Sequence, residues 1–175
     1  KLWQAIFETT RATQPDTVAA WVDHIKNLRK RGDYLQAKKY SALHYKGPGT
    51  DLTLGLPQGH KWISAQAMAE NGVIFTANMP TEEVFTLPDR HRAEGTVAAT
   101  FPLSYGGSLI EDFSATFENG RIVKVTAKKN EALLQKLVDT DEGSTRLGEI
   151  ALVPASSPIS KRGHLFYNTL FDENA

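Results

Sequence analysis

Over residues 1–40 the apolar positions recur at spacings of three and four, the period of helices that bury one stripe. Pro15-Asp16 opens the clearest of these. Asp16 offers a side-chain acceptor to the free backbone N–H groups of a first turn, and Val18, Val22, Ile25 and Leu28 then fall on one face. This reading puts Lys26, Arg29, Lys30 and Arg31 near the helix end, just before Gly32, where the negative pole of the dipole favours cations. A short second helix is expected over 34–39.

After Tyr40 the period changes to short apolar runs broken by glycine and proline, the texture of strands and turns. Residues 42–46 and 52–56 flank Gly47-Pro48-Gly49, which reads as a structural turn because it lacks the GxxxxGK[ST] spacing of a phosphate loop. Residues 73–76, 95–101 and 110–117 are further strands. Glu118-Asn119-Gly120-Arg121 predicts a type I′ hairpin, with Glu118 opposite Arg121 and a return strand over 122–127. Asn130 is expected to cap a helix whose Leu133, Leu134, Leu137 and Val138 pack on the sheet. A strand over 147–153 ends at Pro154, and a polar loop over 156–162 precedes Leu165-Phe166-Tyr167. The fold class is therefore α+β: a helical connector over 1–40, then a β-rich domain over 41–175 with a mixed or antiparallel sheet and a few packed helices.

Charge and composition remove several function classes. Twenty basic residues balance twenty acidic ones, so no global field draws the chain to nucleic acid or to an anionic membrane. Cysteine is absent, which rules out disulfides, Cys–His catalysis and thiolate metal sites, and leaves Glu, Asp, His and Tyr as metal donors. No apolar run approaches the roughly 20 residues of a membrane span and no signal-peptide pattern opens the chain, which reads as cytosolic.

Two acidic features carry candidate chemistry. In LGEIALVP, Glu149 is the one charge in an otherwise uncharged strand and shares a face with Leu147, Ala151 and Val153. Such a glutamate either faces water or an arginine at a sheet edge, or serves a metal or catalytic site if its face is covered. Glu82 and Glu83, between two prolines in NMPTEEVFTLPDR, point apart in any regular backbone, so only one aims at a given site. That pair is either a solvated acidic turn or a source of one ligand. The five histidines show no HxxxH spacing, and no GxSxG elbow is present.

Several longer stretches carry a resemblance. NMPTEEVFT, GPGTDLTLGLP, PLSYGGSLIEDF, LGEIALVP with SSPIS, and LFYNTLFDENA together resemble the metallo-aminopeptidases of the aminopeptidase T, AmpS and PepS type, in consistent order from Lys1 to Ala175. The resemblance implies a two-domain enzyme that removes N-terminal residues from peptides with two divalent metal ions, zinc, cobalt or magnesium. Carried over position by position, it makes Glu83 and Glu149 metal ligands and assigns no general base. In that family a histidine, a tyrosine, a second histidine and an aspartate follow the DENA motif, which here closes at Ala175. The chain is accordingly read as a central fragment: 1–40 ends the amino-terminal domain of the parent and 41–175 begins its catalytic domain. The expected partners are peptide substrates, with no nucleic acid and no membrane. Apolar surface left uncovered implies a homo-oligomer, a dimer in the simplest case. The fragment alone is expected to be inactive. The alternative reading, drawn from the strand-rich 95–127 region and the incomplete ligand set, is a non-catalytic β-rich binding or assembly module.

Overall fold

The computed structural model describes residues 1–175. In chain order the elements are α1 (Leu2–Thr9), α2 (Thr17–Lys38), β1 (Ala42–Gly47), β2 (Thr50–Gly55), β3 (Gln66–Met68), β4 (Ile74–Thr76), β5 (Val84–Thr86), β6 (Ala93–Ala98), β7 (Leu103–Tyr105), β8 (Ser108–Ile110), β9 (Ser114–Glu118), β10 (Arg121–Thr126), α3 (Glu131–Val138), β11 (Ile150–Leu152) and α4 (Thr169–Asp172). The fold is α+β, as the sequence pattern implies. The elements group into two units, one of residues 1–39, 61–86 and 151–175, the other of residues 40–60 and 87–150.

The second unit is built on a five-stranded sheet in the order β1-β2-β6-β9-β10, with every neighbouring pair antiparallel. Its two tight turns follow the expected chemistry. Gly47 pairs with Thr50 across the Gly-Pro-Gly turn, and Asn119 and Gly120 take φ of 51° and 78° so that Glu118 pairs with Arg121. Leu134 and Val138 of α3 are buried with Ile110 and Val125, and Leu133 and Leu137 pack at the margin of that core. Two local expectations fail. The strand foreseen over 110–117 is two strands, because the chain turns through Asp112 at φ 48° between β8 and β9. Asn130 does not cap α3 with its side chain: it sits at φ 60° and donates from Nδ2 to the Leu109 carbonyl at 2.7 Å, while the Glu131 carboxylate accepts from the Ala127 N–H.

In the first unit Asp16 caps α2 as expected, its Oδ1 accepting from Ala19 N–H at 2.9 Å. The helix then runs unbroken through Gly32, which is buried inside it, and ends at Lys39 in the left-handed region. There is no separate second helix. The basic run from Lys26 to Arg31 therefore lies in mid-helix, away from the dipole's end. The buried stripe is also shifted: Leu28 is buried, Val18 and Val22 are exposed, and Trp21 is buried instead. Its indole N–H donates to the Thr10 carbonyl at 2.8 Å, and this anchor sets which side of α2 turns inward. α2 packs on β5, which pairs with β11, while β3 and β4 form a separate hairpin. Ala5, Ile159 and Phe166 make a small core of their own.

Candidate functional site

The Glu82-Glu83 pair leads directly into β5. A solvated acidic turn is excluded, because Glu82 is 2% and Glu83 9% exposed. The charge of Glu82 is met by Arg11, whose Nη1 lies 2.6 Å from Oε1. The same guanidinium donates from Nη2 to Nδ1 of His24 at 2.9 Å and lies over the Trp21 ring, 5.3 Å from its centroid. Arginine's rigid fork suits this double duty.

His24 is thereby held in one tautomer. A guanidinium donates and never accepts, so Nδ1 carries no proton; Nε2–H donates to the Thr81 carbonyl at 2.6 Å. Burial pushes this imidazole below its usual value of 6.5, against the upward pull of the Thr81 hydrogen bond and the Glu82 carboxylate and with the help of Arg11 and Arg31. The ring edge packs against Trp21 in a T-shaped contact. From the other end of the chain, fully buried Asn174 accepts the Glu82 N–H at Oδ1, 2.7 Å away, and donates from Nδ2 to the Leu170 carbonyl.

These contacts account for Glu82. Glu82 turns toward Arg11 and His24, and Val84 lines a cavity of about 370 Å³ with Tyr34 and Leu35 of the same helix. Glu82 and Val84, on either side of Glu83, thus both face residues of α2, and Glu83 between them is itself buried. Glu149 stands differently from its expectation. Only Ile150–Leu152 form the strand, and Glu149 precedes it as an exposed residue of the second unit. Of the histidines, His44 pairs with exposed Asp51 at 2.7 Å, His60 bonds the Pro57 carbonyl and His164 stacks on Phe166.

The family model described as thermophilic metalloprotease (M29) matches residues 1–175. The chain belongs to the M29 family. Its similarity to aminopeptidase AmpS of Bacillus subtilis is 56% identity over 99% of the chain, and to aminopeptidase T of Thermus thermophilus 53% over all of it. Aminopeptidase PepS of Streptococcus thermophilus is 52% identical over 99%. The chain spans 42% to 43% of the length of these M29 relatives. The solved structure of wild-type AmpT from Thermus thermophilus superposes with a TM-score of 0.91 at 51% identity, over 99% of this chain and 42% of that one. The 2,5-dihydroxypyridine dioxygenase of Pseudomonas putida KT2440 shares the fold alone, with a TM-score of 0.57 at 18% identity, over 96% of this chain and 48% of that one.

Membership of a metalloprotease family raises the question of which residues suit a metal. Carboxylate oxygens such as those of Glu83 and Glu149 are hard donors and fit a divalent cation in kind. In number they do not complete a site: no group of three or more His, Asp or Glu side chains is arranged to hold an ion. No helix is long and apolar enough to cross a membrane.

Proposed function

We propose that the chain is part of a metal-dependent aminopeptidase that removes N-terminal residues from peptides, with Glu83 and Glu149 among the ligands of two divalent ions, zinc, cobalt or magnesium. The observation that carries the reading is the ordered similarity of all 175 residues to proteins named as aminopeptidases. The engagement of Glu82 by Arg11 supports the choice of Glu83 as the ligand of that pair. When bound, a pair of such ions supplies Lewis-acid polarisation of the peptide carbonyl and water activated near neutral pH. Glu83 and Glu149 contribute oxygen donors whose negative charge partly offsets that of the ions. No residue of the chain is assigned as general base.

Each ion takes about four or more donors. Two carboxylates fall short of that, so in this reading the remaining ligands come from the rest of the parent enzyme, and these 175 residues alone are inactive. A cytoplasmic location, peptide substrates as partners, no nucleic acid and no membrane, and association between copies go with the same proposal. The test is turnover of a chromogenic aminoacyl anilide by the full-length parent, with added cobalt or zinc, for the wild type, Glu83→Gln and Glu149→Ala. Chelator-sensitive activity that falls at least about 100-fold in both variants is expected, on the scale of a lost catalytic group. Unchanged turnover in either variant removes that residue from the site.

A further inference from the structure

The partners of the Glu82 region come from three elements far apart in sequence, and they converge on one peptide group. The Thr81 carbonyl and the Glu82 N–H belong to the same amide plane. His24 of α2 holds its oxygen edge at 2.6 Å, and Asn174, just past α4, holds its nitrogen edge at 2.7 Å. Arg11, from the turn after α1, then fixes the side chain that follows, at 2.6 Å from Oε1. With both edges of the plane and the next side chain fixed, the backbone at Glu82 has little freedom to rotate. The direction in which Glu83 leaves the chain is set in consequence.

We infer that Glu82, Arg11, His24 and Asn174 are positioning residues for Glu83: they aim its carboxylate before any ion arrives, and Glu82 is an anchor rather than a ligand. The inference rests on the reading of Glu83 as a metal ligand. Three features favour a built clamp over ordinary burial. The groups are all buried or nearly so, with Asn174 fully enclosed and the Glu82 side chain 2% exposed. Arg11 bridges two members at once, contacting both His24 Nδ1 and Glu82 Oε1. Each contact also uses the atom that chemistry allows in a single protonation pattern, with His24 neutral and protonated on Nε2. Ligand carboxylates must be held to within about 0.5 Å of their working position, and outer-sphere partners supply that restraint.

The test uses the metal-free parent enzyme titrated with cobalt, read by its visible d–d absorption, with folding of each variant checked by circular dichroism. Glu82→Gln is expected to weaken cobalt binding roughly 10- to 100-fold while leaving the spectrum at saturation as in the wild type, because the ligands are unchanged and only their aim is lost. Glu83→Gln is expected to change the saturated spectrum itself. Should Glu82→Gln not fold, His24→Phe removes the Thr81 hydrogen bond without removing a charge and is expected to behave as Glu82→Gln does. Wild-type affinity in the folded clamp variants, beside an altered Glu83→Gln, overturns the clamp alone. A saturated spectrum for Glu82→Gln that matches Glu83→Gln makes Glu82 a ligand and also overturns it. Wild-type affinity and spectrum in Glu83→Gln remove the ligand reading, and the clamp falls with it.

Discussion

Arg11 and Glu82 form a pair in which each charge depends on the other for compensation, since their side chains are 16% and 2% exposed. Truncating one partner of such a pair strands the other, at a cost of about 3–5 kcal/mol. Arg11→Ala should lower the unfolding free energy by that amount in urea titrations; a loss below about 1 kcal/mol would class the pair with exposed ion pairs. His24 makes a separate prediction. Its folded-state value lies below the ordinary 6.5, so the unfolded chain takes up a proton first as pH falls. Its contribution to stability is complete above about pH 6.5 and is lost as pH drops from there toward the folded value. Unfolding free energy measured between pH 7.5 and 5.5 should fall, and His24→Gln should flatten that slope; an equal slope in both proteins would assign it to other groups. Alternation alone made it an expectation that Glu82 and Glu83 point apart. Their partners were not legible, because the His24–Thr81 and Asn174–Glu82 bonds span 57 and 92 residues and leave no local pattern.

The elements that sequence reads best are those whose geometry one or two residues dictate. In the β9–β10 hairpin, Gly120 has φ 78°, and a Cβ there would lie 2.1 Å from the Arg90 carbonyl oxygen. Gly120→Ala should therefore destabilise by well over about 1 kcal/mol, through both backbone strain and the clash. A near-neutral value in denaturant titration would mean that the hairpin relaxes away from Arg90. Asp16→Ala tests the start of α2 and should cost about 1 kcal/mol, the worth of a single N-cap. Where one residue did not decide, the reading failed. Gly32 looked like a helix end, but a helix interior accepts a glycine at about 1 kcal/mol, and packing of the flanking turns outweighs that. Glu149 looked like a strand residue because it sits in LGEIALVP, an otherwise uncharged and mostly apolar run closed by Pro154. Pairing with β5 extends only over Ile150–Leu152, and hydrogen bonding, not pattern, sets where a strand begins.

At the scale of the molecule, metal and stability are linked. An ion that binds only the folded protein stabilises it by about 2.7 kcal/mol at one hundred times its dissociation constant, so removing it lowers the melting temperature. The reading of Glu83 and Glu149 as part of a larger ligand set makes the 175-residue chain differ from its parent in this respect. Scanning calorimetry with and without EDTA should lower the melting temperature of the full-length enzyme by several degrees and leave that of the 175-residue chain unchanged. Exposed apolar side chains add a second expectation for the short chain. Trp3 is 69%, Met68 71% and Ile74 60% exposed, all within the first unit. Exposed large apolar groups favour association with another surface, so sedimentation at increasing concentration should show self-association of the 175-residue chain. The two measurements answer different questions. A chelator-sensitive melting temperature in the short chain would show that its own residues complete a metal site, whereas a monomer at all concentrations would remove only the proposed pairing between copies.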